Sequence, residues 1–187
     1  MRWIHSIWAI FLFPLWVSAA PKLEVERVLW GFTGKAVSEA FNILTIEVRN
    51  VSDQPYEGAI QLVRRMGNKP VGIPEIQLIG LAPGGSRTVQ FTPYVDQYVG
   101  GVYDSRVVWD NGGVDLNEIL PSVDEGFPET VALIEDTNTF EKGAGHFPTF
   151  PDRYFPTNVS VTNGLAAVVL AHVPKWEEAR ATAFWRW

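Results

Sequence analysis

The amino-acid sequence predicts a mainly β protein, an antiparallel sandwich followed by a partial α/β unit. Three observations carry this expectation. From Leu23 to about Leu120, segments rich in branched and aromatic residues alternate with turn clusters. Thirteen prolines and sixteen glycines are spread along 187 residues, which favours many short elements over a helical bundle. After Pro121 the pattern changes to unbroken apolar runs, as in strands covered on both faces of a parallel sheet.

The first residues, MRWIHSIWAIFLFPLWVSAA, stand apart from the fold. Arg2 supplies a positive start, Ile4 to Val17 form an apolar stretch, and Val17-Ser18-Ala19 fits a signal peptidase site. Residues 1–19 are therefore expected to be a signal peptide, cleaved after Ala19. An uncleaved anchor is the rival reading, but Pro14 interrupts a run already short of the ~20 residues a spanning helix needs.

Residues 22–120 are expected to form the sandwich. Its strands are read at Leu23 to Trp30, Phe41 to Arg49, Glu57 to Arg65, Pro74 to Leu81, Arg87 to Val95 and Tyr103 to Trp109, with a weak seventh at Val114 to Leu120. Leu44, Ile46 and Val48 point one way and Thr45, Glu47 and Arg49 the other, the period of a strand with one wet face. Asn50 to Pro55, Met66 to Pro70, Ala82 to Ser86 and Asp110 to Gly113 supply the Pro, Gly and Asn that turns require. Seven short strands with turns between them suit an immunoglobulin-like sandwich.

Residues 121–129 read as an acidic linker containing Pro and Gly, and residues 130–187 as an incomplete α/β domain. Val131-Ala-Leu-Ile134 and Leu165-Ala-Ala-Val-Val-Leu-Ala171 are its two apolar strands, with a short strand expected at Asn158 to Val161 between them. A helix follows the second run. Pro174 suits its first turn, Glu177 and Glu178 complement its dipole, and Trp176, Ala179, Ala183 and Trp187 form a stripe with Phe184 beside it. A strand–loop–helix unit of this kind feeds a further parallel strand, so the chain is expected to be the N-terminal part of a longer protein.

Two stretches in the first half carry a family resemblance: Asn42-Ile-Leu-Thr-Ile-Glu-Val-Arg-Asn-Val-Ser-Asp-Gln-Pro-Tyr-Glu-Gly58 and Leu81-Ala-Pro-Gly-Gly-Ser-Arg-Thr-Val89. Gly164-Leu-Ala-Ala-Val-Val-Leu-Ala171 and Ala183-Phe-Trp-Arg-Trp187 extend it. Together they resemble the N-terminal region of large, exported, membrane-anchored bacterial envelope proteins of uncharacterised function. In these a sandwich precedes a domain similar to class I glutamine amidotransferases. The resemblance implies a flavodoxin- or amidotransferase-like second unit and no assigned activity. The chain departs from the family in carrying Ala166 where an acidic residue is common, and in having no Gly-Gly after Trp187.

The chemistry is narrowed mainly by what is missing. There is no cysteine, which excludes a lipoprotein anchor, disulfides, thiolate metal sites and the thiolate glutaminase reaction. No G-x-S-x-G elbow, P-loop or G-x-G-x-x-G is found, so no catalytic residue and no cofactor is assigned. With Arg2 removed the chain carries 14 bases against 21 acids, near −7, and no Lys- or Arg-rich window. Nucleic acid and anionic lipid are poor partners for such a chain. Membrane attachment is expected only through an uncleaved signal or a region beyond Trp187.

Ligands of open α/β sheets bind beyond the carboxyl ends of the strands. That places Asp136, Glu141 and His146 as the polar candidates, against the plainer reading of a solvated loop. Asp136-x-Asn138 begins like a calcium loop but lacks its later ligands, so no metal site is assigned. His172 follows an apolar strand, where a histidine with a structural hydrogen bond is the commoner outcome. Tyr98 and Tyr103, flanking Gly100-Gly101, are the candidates for stacking on a sugar, while Trp30 and Trp109 lie within strands and read as core. Asn50-Val-Ser and Asn158-Val-Ser match the glycosylation pattern by chance in a bacterial chain. Trp187 would suit the aromatic end of an outer-membrane barrel, but the two apolar runs, which do not alternate, argue against one.

The expected function is an exported, non-catalytic interaction or scaffold module of the cell envelope, periplasmic or extracellular, meeting an envelope protein or polysaccharide. The alternative is a carbohydrate-binding or hydrolase-accessory module.

Overall fold

The computed structural model describes residues 22–96, 104–119, 124–135 and 146–187. The signal segment, Tyr98, Tyr103, Asp136 and Glu141 lie outside the described residues. The protein is mainly β, with several sheets.

One sheet joins β1 (Leu23–Trp30), β4 (Leu44–Asn50) and β7 (Ser86–Phe91) in the antiparallel order β1-β4-β7. A second joins β5 (Tyr56–Met66), β6 (Lys69–Leu81), β9 (Asp104–Trp109) and β10 (Gly112–Asp115) in the antiparallel order β10-β9-β5-β6. The inward residues of both share one buried cluster. Leu44, Ile46, Val48 and Phe91 meet Ile60, Leu62, Val107 and Trp109 there. The inward positions of β4 are used as its spacing predicts, but Thr45, expected on the wet face, is buried beside Gln90, whose amide also reaches the Tyr154 carbonyl. Trp30 and Trp109 are core residues.

β6 closes the open side of this two-sheet body. Glu75 and Gln77 lie on its inward face, where an apolar residue would be expected further from the edge. The Glu75 carboxylate accepts the Thr92 backbone N–H at 2.6 Å, and the Gln77 amide donates to the Gln90 carbonyl at 3.3 Å. These side chains satisfy backbone groups at the free edge of β7.

The turns carry their own polar anchors. The fully buried Asn50 donates its side-chain amide to the carbonyls of Gln54, Leu81 and Ala82, at 2.7, 3.3 and 3.3 Å. Its side-chain oxygen accepts from the Ser52 N–H and hydroxyl. Asn42, also buried, accepts the Val37 N–H and donates to the carbonyls of Val37 and Ala40. Gly31 has φ +56°, and a Cβ there would lie 2.2 Å from the Lys35 carbonyl oxygen, so only glycine fits.

Short pairings stitch the connections. β2 (Lys35–Val37) pairs in parallel with β11 (Asp124–Gly126), and β3 (Ala40–Phe41) pairs with β8 (Tyr94–Val95). Part of the segment read as a linker is thus a strand, tied further by Lys35 to Glu129 at 2.8 Å and Ser38 to Glu125 at 2.5 Å. The weak seventh strand read at 114–120 is placed differently. β10 ends at Asp115, and a short helix, α1 (Leu116–Ile119), follows with Leu116 buried in the core.

The remaining sheet is parallel. β12 (Glu129–Ile134) lies between β13 (Thr149–Pro151) and β14 (Leu165–Leu170), in the order β13-β12-β14. Its second strand is therefore Thr149–Pro151. The strand expected at 158–161 is instead a 3-10 turn, Val159–Val161, in which Asn158 caps by accepting the Ser160 N–H at 3.0 Å. β14 leads to α2 (Glu178–Arg186), which starts four residues after Pro174, with Glu177 as its N-cap. Of the expected stripe, Ala183 is buried and Trp176 and Phe184 half-buried, while Ala179 and Trp187 are exposed. The parallel unit and the two-sheet body share a second buried cluster, in which Phe32 and Ile43 of the body meet Val131, Leu133, Phe150 and Phe155.

Candidate functional site

At the carboxyl edge of the parallel sheet the structure brings one titratable pair together. Pro151 ends β13, and a 3-10 turn over Asp152–Tyr154 follows at once, turning the Asp152 side chain back toward the sheet. β14 ends at Leu170, and the Ala171 N–H bonds the Leu133 carbonyl of β12 at 3.1 Å, so that His172 emerges at the same edge. The His172 Nε2 lies 2.9 Å from Asp152 Oδ2. The Asp152 side chain is 12% exposed and that of His172 25%.

Two further bonds run between the same segments. The Trp176 indole donates to the Asp152 carbonyl at 2.9 Å, and Arg180 Nε donates to the Phe155 carbonyl. His172, Trp176 and Arg180 recur at four-residue spacing, and all land on residues 152–155. Phe155 stacks on Trp176 with ring centroids 5.2 Å apart, and Phe184 packs edge-on against Phe155 at 5.5 Å. Among the described residues no hydroxyl, thiol or amine side chain is hydrogen-bonded to His172. With Trp176 and Arg180, His172 ties α2 and its leader to the turn after β13.

Of the residues singled out in the sequence, His146 is exposed and stands just ahead of the amino end of β13, away from the carboxyl edge. Asp152 was not among the candidates. Its strand is only Thr-Phe-Pro, too short to show a period. Among the described residues no group of three or more His, Cys, Asp or Glu is placed to hold a metal ion, and no helix is long and apolar enough to cross a membrane.

Two concave surfaces lie among the described residues. An open groove of about 700 Å³ runs between the 158–161 turn and α2, lined by Asn158, Val159, Glu177, Glu178, Thr182 and Arg186. A second, of about 490 Å³, is lined by Pro55, Tyr56, Glu57, Asp110 and Asn111. Tyr56 is buried there, its hydroxyl donating to the Ala59 carbonyl at 3.1 Å. Burial, with the Asp110 charge adding to it, holds the phenol above its ordinary pKa.

No family model matches the chain, and no curated protein matches it. Among solved structures it is similar to a cycloisomaltooligosaccharide glucanotransferase of Paenibacillus sp., at 19% identity and a TM-score of 0.39 over 64% of this chain and 17% of that one. It is also similar to a β-glucosidase of Erythrobacter marinus, at 15% identity and TM-score 0.34 over 51% of this chain and 15% of that one. A β-glucosidase of Listeria innocua matches at 14% identity and TM-score 0.35, over 52% and 16%. The chain spans less than a fifth of each of these proteins.

Proposed function

We propose that the chain is an exported, non-catalytic interaction or scaffold module of the bacterial cell envelope. In this reading residues 22–120 are an immunoglobulin-like sandwich, and residues from 130 begin a flavodoxin- or amidotransferase-like unit. The family resemblance of the sequence points the same way. The strand order β13-β12-β14 supports the second unit, because a flavodoxin-like sheet begins with its second, first and third strands side by side.

The observation that carries the proposal is β14. Its sequence, LAAVVL, is unbroken apolar, yet Ala166, Ala167, Val169 and Leu170 are exposed, the last two at 40% and 44%. β14 is also the edge of its sheet. A strand of this composition with an open edge and an open face is a surface suited to being covered by further protein.

The test replaces Val169 by Lys in the purified full chain. Weaker binding of a hydrophobic dye, with the fold retained by circular dichroism, is expected. Unchanged dye binding sinks the reading. The same protein on a glycan array is expected to give no signal. Binding that vanishes on Tyr98→Ala or Tyr103→Ala would replace the scaffold reading with the carbohydrate-binding one.

A further inference from the structure

The outer face of the four-stranded sheet is apolar where a solvent-facing antiparallel sheet carries polar side chains. On β5, Ile60 and Leu62 point into the core. Glu57, Ala59, Gln61, Val63 and Arg65 take the opposite face. The register sets Ile76 of β6 and Val108 of β9 on either side of Gln61, and Leu78 beside Ala59. Ile76 is 56% and Leu78 79% exposed.

Charge is segregated to the two ends of this apolar field. At one end Arg65 and Arg106 share the Asp115 carboxylate, at 3.0 and 3.7 Å, and the register sets Asp104 opposite Arg65. At the other, the exposed Glu57 pairs with no cation among the described residues. Gln61 lies four residues from each, about 13 Å along the strand.

A two-fold axis through Gln61 matches this surface to itself. Glu57 of one copy then faces Arg65 of the other, Ala59 faces Val63, and the Gln61 amide meets its symmetry mate, which offers both a donor and an acceptor. Isologous pairing requires this kind of self-complementarity, and the apolar centre with a charged rim is the anatomy of a protein interface. We propose that this face is a homodimer interface, with a second copy of the chain as its occupant.

Analytical ultracentrifugation of the purified full chain, from low to high micromolar concentration, tests the proposal. A concentration-dependent dimer is expected. Leu78→Lys, at an exposed position that leaves the fold intact by circular dichroism, should weaken dimerisation at least tenfold. Glu57→Arg and Arg65→Glu should each weaken it, and the two together in one chain should restore it. Val169→Lys, on the separate β14 surface, should leave it unchanged, so failure here is distinguishable from failure of the scaffold reading. A wild-type chain that stays monomeric overturns the proposal. So does a Leu78→Lys chain that still dimerises, a dimer lost on Val169→Lys, or a double charge reversal no better than the single ones.

Discussion

Single side chains in this protein do the work of whole turns. Asn50 ends β4 and gathers three carbonyls from two separate connections, so removing it leaves several buried acceptors unpaired at once. Asn50→Ala should cost about 2–4 kcal/mol, measured by urea unfolding, because each orphaned buried group carries its own desolvation penalty. The same burial makes Asn50 inaccessible to a glycosyl group, in agreement with reading its Asn-Val-Ser match as chance. Tyr56 supplies a pH signature. Its pKa is raised in the folded protein by burial first and by Asp110 second, so the unfolded chain loses the phenolic proton sooner. Stability from this group is complete below pH ~10 and falls as the pH rises above it. Unfolding measured from pH 9 to 11 should show that loss in the wild type and lack it in Tyr56→Phe.

At the scale of elements, strands with a clear period were legible and short ones were not. β1 follows its expected bounds because its apolar residues and flanking turns agree, whereas β4, expected from Phe41, begins at Leu44 because Ala40–Phe41 pairs separately with β8. β2, β3, β11 and β13 span two or three residues each, too few for any period, and they exist because neighbouring backbone offers them partners. Val159–Val161 looked like a strand by composition, but the Asn158 cap turns it into a 3-10 turn. For the site, His172 was legible as a structural histidine, whereas Asp152 depends on a contact twenty residues away that no local pattern records. The tie they form is testable as a coupling. A double-mutant cycle of Asp152→Asn and His172→Ala should give an interaction of roughly 1–2 kcal/mol. Amide exchange in α2 should speed up in His172→Ala, because the helix loses one of three anchors to the turn after β13.

At the scale of the whole molecule, the two halves are held by shared core as well as by the acidic segment between them. Phe32 and Ile43 belong by sequence to the two-sheet body, but are buried among residues of the parallel unit. Ile43→Ala should therefore cost about 2–5 kcal/mol. It should also lower the stability of both halves together, seen as one transition at a reduced midpoint by calorimetry; two separated transitions in the wild type would contradict this. The composition boundary near Pro121 was visible in the sequence, but a boundary in composition is not a boundary in packing. Lys35 with Glu129, and Ser38 with Glu125, bridge it directly.

The inward-facing acid and amide of β6 have a consequence for the fate of the chain at high concentration. A bare strand edge is a template on which copies can stack into fibrils. Glu75 and Gln77 occupy the Thr92 N–H and the Gln90 carbonyl, so β7 offers an incoming strand an interrupted ladder. With both replaced by valine that seam would be open and apolar. Such a chain should then nucleate thioflavin-positive fibrils under conditions where the natural one stays in solution.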